Sequence, residues 1–197
     1  VTLRPGRAIA LTAILLALPG AFPHPGFPAD GATLVLLVRH AEKAAEPGDD
    51  PPLSAVGAAR AQALAAALRD SGVTAVVTTQ LRRTRDTAQP IATGRGLTPE
   101  VVPIDHGAVP AHADAVAAAV RRHAGGVVLV VGHSNTIPAI IAALGGPHLP
   151  EICDAAYSNL FILQLGGQEP RLILAHYGVP DPDLGPDCKT TAMHADH

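Results

Sequence analysis

Apolar residues gather in short unbroken runs separated by turn formers, and two of these runs end in a histidine. Leu34-Val35-Leu36-Leu37-Val38 leads into Arg39-His40, and Val127-Val128-Leu129-Val130-Val131 leads into Gly132-His133. All-apolar runs rich in β-branched residues read as strands buried on both faces, as in parallel sheets. Val73 to Thr79 and Val101 to Ile104 predict two more strands. Helix signals fall between them. Ser54 is an N-cap candidate for an Ala-rich helix that carries Leu53, Ala61, Leu64 and Leu68 at helical spacing and stops near Ser71-Gly72. A second helix starts at about Arg82, is interrupted or restarted at Pro90, and closes at Gly94 and Gly96. A third runs from Ala113 to His123, with Gly125-Gly126 as its stop, and a fourth starts near Asn135 with Pro138 in its first turn. Asn159 to Leu165 and Arg171 to Tyr177, separated by Gly166-Gly167, predict a hairpin at one sheet edge.

This alternation predicts an α/β domain over residues 31–180, with a mostly parallel sheet and an edge hairpin near the C-terminus. Residues 181–197 lack periodicity and read as a loose tail. The first thirty residues differ from the rest: Arg4 and Arg7 precede the apolar stretch Ala8 to Leu18, then Pro19-Gly20-Ala21 and a Pro-rich segment through Pro28. Basic, apolar, small is the order of a secretory signal, so residues 1–30 predict a signal peptide and linker and an exported, periplasmic protein. A retained signal would instead act as a membrane tether.

Open α/β sheets bind ligands beyond the carboxyl ends of their strands, which is where both histidines are carried. The chain has 197 residues, 48% hydrophobic and 16% charged, which excludes disorder; 3% aromatic leaves Val, Leu, Ile and Ala to fill the core. A net charge of -3 gives no footprint for nucleic acid, so an anionic ligand must be held by a local cluster. The remaining eight histidines are scattered and suggest no metal site. Cys153 and Cys188 are the only cysteines; one disulfide and two unrelated thiols are both open.

Four blocks carry a resemblance. Leu37-Val38-Arg39-His40-Ala41-Glu42-Lys43 resembles the Arg-His signature of the histidine phosphatase superfamily, which includes cofactor-dependent phosphoglycerate mutases and many small phosphatases. Pro52-Leu53-Ser54-Ala55-Val56-Gly57, followed by Arg60-Ala61, resembles its next block. Thr79-Gln80-Leu81-Arg82-Arg83-Thr84-Arg85-Asp86-Thr87-Ala88 is similar to a third, with Thr79 where Ser is commoner, and Val131-Gly132-His133-Ser134-Asn135 to the second histidine block. They stand in family order. The resemblance, closest to the small bacterial phosphohistidine-phosphatase-like members, implies a three-layer sandwich and a phosphatase needing no cofactor or metal. Its substrate would be a small phosphomonoester, an envelope sugar phosphate or a phosphohistidine.

Under that resemblance His40 is the nucleophile and forms a phosphohistidine, while Arg39 and Arg83 present paired donors to phosphate oxygens. His133, protonated, stabilises the transferring group. Guanidinium charge nearby should depress the His40 pKa. Arg82 and Arg85 read as solvated helix charges, and Glu42 and Lys43 as loop charges at the pocket rim. The family's leaving-group acid is a glutamate soon after the third strand; here that stretch offers Asp105, with Glu100 nearby. Two other readings stay open, a non-catalytic phosphate-binding module and a mutase-type phosphotransferase. The mutase reading is disfavoured by Ala41-Glu42-Lys43 after the histidine and by the short pocket segment.

Overall fold

In the computed structural model, which describes residues 1–2, 31–105 and 107–182, the elements follow in the order β1 (Thr33–Arg39), α1 (Ala55–Ala67), β2 (Ala75–Thr78), α2 (Arg82–Arg95), β3 (Glu100–Val101), α3 (Val109–Arg122), β4 (Val127–Gly132), α4 (Thr136–Ala143), β5 (Asn159–Leu165) and β6 (Arg171–His176). The strands form one six-stranded sheet ordered β3-β2-β4-β1-β5-β6. Neighbours from β3 through β1 are parallel, and β5 and β6 join antiparallel as the edge hairpin. Successive strand residues point to opposite faces, and both faces are covered. Val35 and Leu37 of β1 pack in one cluster with Val116 and Val120 of α3 and Ile137, Ile140 and Ile141 of α4. Leu36 and Val38 pack in the other with Leu64 of α1 and Ile91 of α2. Helices on both sides of a mostly parallel sheet make the three-layer sandwich.

Four boundaries depart from the sequence pattern, each for a local reason. α3 begins at Val109, not Ala113, because Pro110 sits at its start, where the missing N–H costs no helical bond. This extra turn brings His112 into the helix. α2 runs unbroken through Pro90, held on either side by buried Thr87, Ala88, Ile91 and Ala92, so packing outweighs the lost bond. β3 is only two residues long. Pro103 cannot donate, and the Gln80 side chain takes over the pairing: its Nε2 donates to Ile104 O at 2.7 Å and its Oε1 accepts the Ile104 N–H at 2.9 Å. Leu53 lies outside α1, in an isolated bridge with Lys43.

The signal reading of residues 1–30 falls almost wholly outside the described residues, as do Cys188 and most of the expected tail. Asp181 at the start of that tail is anchored: its carboxylate accepts the N–H groups of Tyr157 and Ser158 at 2.8 and 3.1 Å and the Ser158 hydroxyl at 2.7 Å. No helix among the described residues is long and apolar enough to cross a membrane.

Candidate active site

The parallel register of β1 and β4 pairs Arg39 with Gly132, so the residues that follow each emerge side by side at the carboxyl edge. The His40 N–H donates to Gly132 O at 2.9 Å, and the rings of His40 and His133 lie 5.3 Å apart in an edge-on arrangement. Close approach demands glycine at 132. A Cβ there would come within 2.8 Å of Thr136 Oγ1 and 2.9 Å of Ile137 Cδ1. That Thr136 hydroxyl also accepts the His133 N–H at 2.8 Å, locking the turn into α4.

His40 is oriented by its own backbone. Its Nδ1 lies 2.8 Å from Ala41 O; a carbonyl can only accept, so Nδ1 carries the proton and Nε2 the lone pair. Thr87 of α2 fixes this peptide in turn, accepting the Ala41 N–H at 2.9 Å while donating to Arg83 O at 2.7 Å. Burial holds the His40 pKa well below 6.5, helped by His133, Arg39 and Arg83 and opposed by the Ala41 carbonyl. The imidazole therefore stays neutral and nucleophilic at neutral and mildly acid pH. Burial is the leading cause, ahead of the guanidinium charge anticipated from sequence.

The His133 Nε2 lies 3.3 Å from Thr79 Oγ1, which also accepts the Leu81 N–H and bonds Thr84 Oγ1 at the entrance to α2. Burial, then Arg83, His112, Arg39 and Lys43, lowers the His133 pKa to about 3. A phosphoryl dianion placed among these groups reverses the balance and favours the imidazolium.

Arg39 is clamped by the segment ahead of β5. Its Nη1 donates to the carbonyls of Cys153, Asp154 and Ala156 at 2.9, 2.8 and 3.2 Å, and its guanidinium stacks 4.2 Å from the Tyr157 ring centroid. Its buried Nε has no hydrogen-bond partner among the described residues, a donor that a ligand could take up. Arg83 faces Asp49 O at 3.4 Å and the Asp50 carboxylate at 3.8 Å, and that carboxylate also caps α2 by accepting the Arg82 N–H at 2.8 Å. Lys43 is exposed, in keeping with a rim position; partial burial lowers its pKa, and Arg83 and Arg39 lower it further. Arg82 and Arg85 are exposed, as expected. Cys153 is disulfide-bonded.

Glu42, in contrast, is not a rim charge. Arg60 of α1 donates Nε to both Glu42 carboxylate oxygens at 2.8 and 3.0 Å and Nη1 to Val179 O at 2.9 Å. The Ser54 N–H donates to Glu42 O at 2.9 Å, and a Cβ on Gly57 would meet that oxygen at 2.2 Å, which explains the glycine in the second block. The side chains of Arg60 and Glu42 are only 7% and 19% exposed, so removing one partner strands a buried charge. Arg60→Ala should cost about 3–5 kcal/mol of unfolding free energy. Denaturant unfolding checks this; a loss below about 1 kcal/mol, the level of a surface pair, would overturn the structural role.

Of the residues singled out from sequence, His40, His133, Arg39 and Arg83 meet at one edge of the sheet, all buried. Asp105 is exposed on the loop after β3, its carbonyl accepting the Ala108 N–H at 3.2 Å. Glu100 is paired with Arg122 and lies 3.5 Å from His123. Three residues near the site escaped the sequence reading: Tyr157, for which no local signal exists, Thr87, visible only as part of its block, and His112, counted among scattered histidines. Among the described residues no group of three or more His, Cys, Asp and Glu side chains is gathered as a metal site would require.

Residues 35–104 match the model of the histidine phosphatase superfamily (branch 1). No curated protein matches the chain. Among solved structures, a protein of Nakamurella multipartitia provisionally assigned as the phosphohistidine phosphatase SixA is similar at 26% identity. The likeness covers 76% of this chain and 98% of that one, with a TM-score of 0.56. The protein histidine phosphatase SixA complexed with tungstate shares the fold at 21% identity over 73% of this chain and 96% of its own, TM-score 0.55. A mycobacterial glucosyl-3-phosphoglycerate phosphatase does so at 21% identity over 74% and 98%, TM-score 0.58.

Proposed function

We propose that the chain, whose residues 35–104 match the model of the histidine phosphatase superfamily (branch 1), is a phosphatase that hydrolyses a small phosphomonoester or a phosphohistidine through a covalent intermediate on His40. One observation carries this reading: the His40 ring is tethered at Nδ1 by Ala41 O, which leaves the lone pair on Nε2, and the buried ring feels the charges of the buried Arg39 and Arg83 guanidinium groups. The Nε2 lone pair attacks phosphorus, and the bond to the leaving group breaks with its electrons passing to that group. Arg39, Arg83 and the newly protonated His133 neutralise the three equatorial oxygens. Water then attacks the phosphohistidine, and the N–P electrons return to Nε2. The Ala41 carbonyl stabilises the positive charge that the ring carries in between.

Two guanidinium groups and an imidazolium supply the charge that metal ions bring to other phosphoryl-transfer sites, so the reaction runs without a metal. An aryl phosphate should be hydrolysed at full rate after exhaustive EDTA treatment, with an acid-labile phosphoenzyme trapped on His40 and inhibition by vanadate. Activity lost to EDTA and restored by a divalent ion would sink the mechanism; phosphate binding without turnover would favour a binding module. An envelope sugar phosphate fits the exported setting suggested by residues 1–30.

A further inference from the structure

We propose that His112 is the group that protonates the leaving oxygen, the third working imidazole of the site; this rests on the phosphatase reading above. His112 stands in the first turns of α3, and its side chain is almost wholly buried. Its Nδ1 lies 3.0 Å from Pro103 O, on the segment leaving β3. A carbonyl accepts only, so Nδ1 carries a proton and Nε2 is the nitrogen left to meet a ligand. Pro103 follows Val102, whose N–H donates to Thr78 O, and Thr79 bonds His133, so His112 borders the same carboxyl edge as the two other histidines. The charges that lower the His133 pKa include that of His112, after Arg83 and ahead of Arg39, which accords with that placement.

The nearby carboxylates are otherwise engaged. Glu42 is held by Arg60, Asp50 caps α2 and faces Arg83, Asp154 faces Arg39, and Asp105 is exposed. A buried imidazole is an unusual acid, because burial favours its neutral form. The Pro103 carbonyl opposes that effect, and the phosphoryl dianion arriving beside it opposes it more strongly. In the first half-reaction the Nε2–H of His112 passes to the leaving oxygen as the P–O bond breaks, giving an alcohol and a neutral ring. In the second, Nε2 takes a proton from the attacking water, and inorganic phosphate leaves with His112 protonated again.

The test is the dependence of rate on leaving-group pKa, for phosphoenzyme formation from alkyl phosphates, phenyl phosphate and nitrophenyl phosphates. Wild type should show a nearly flat dependence. His112→Asn and His112→Gln should lose roughly 100-fold or more on alkyl phosphates, yet stay within about threefold on dinitrophenyl phosphate, which needs no proton. A merely structural role would slow all substrates alike, and such a uniform loss would overturn the proposal. A steep wild-type dependence would overturn it without any variant, which covers the case in which the substitutions fail to fold. If Asp105→Asn produced the leaving-group-selective loss and the His112 variants did not, the role would pass to Asp105. Failure of wild type to turn over any aryl phosphate would overturn the phosphatase reading and this inference together; turnover through phosphohistidine with unselective His112 variants would overturn this inference alone.

Discussion

His40→Ala should yield a folded protein that releases no inorganic phosphate and takes up no label from phosphorylated substrate. The expected loss is the largest of any single substitution, because under the proposed mechanism it removes the atom that bonds to phosphorus and not one of several charges that stabilise it. Folding should survive. The His40 side chain lies past the last β1 residue, its one hydrogen bond goes to the adjoining Ala41 carbonyl, and the β1 core is supplied by Val35, Leu36, Leu37 and Val38. Quench-flow trapping at acid and alkaline pH gives the clean readout, as a phosphohistidine is acid-labile and base-stable. Turnover within tenfold of wild type would remove His40 from the nucleophile role.

Much of this site is legible in the sequence because it depends on local rules. An apolar run ending in a polar residue sets down that residue at a strand end, and two such runs in parallel register bring His40 and His133 together without any long-range information. Arg83 and Thr87 follow from one helix whose buried face recurs at helical spacing. What the sequence conceals is whatever depends on distant loops. The carbonyls of Cys153, Asp154 and Ala156 that seize Arg39 lie more than a hundred residues away along the chain, and backbone acceptors leave no mark on composition. His112 is hidden for a different reason: with the helix read from Ala113, it falls on a loop, and only Pro110 at the true start moves it into α3. Glu42 and Lys43 are adjacent charges with opposite fates. Glu42 is held against Arg60 and Lys43 stays exposed, a division made by α1 and not by the residues themselves.

The guanidinium pair is where charge and geometry can be separated. Arg39→Ala and Arg83→Ala should each reduce kcat/KM by roughly two to four orders of magnitude, the range found when a preorganised charged donor is removed. Arg39→Lys is the sharper variant. Lysine keeps the charge but not the planar fork, so it cannot both satisfy the three carbonyls now held by Nη1 and present a second donor to phosphate, the role proposed for Nε, which has no partner among the described residues. It should therefore recover less than about tenfold of what alanine loses. Arg82→Ala and Arg85→Ala, on the exposed face of the same helix as Arg83, should stay within about threefold of wild type, as surface charges screened by salt do. Steady-state kinetics at two ionic strengths distinguishes the cases, because buried donors are screened far less than exposed ones. Full rescue by Arg39→Lys would mean that Arg39 acts as a point charge, and an Arg85 variant as damaged as Arg83 would mean that the α2 clamp faces the pocket in another register.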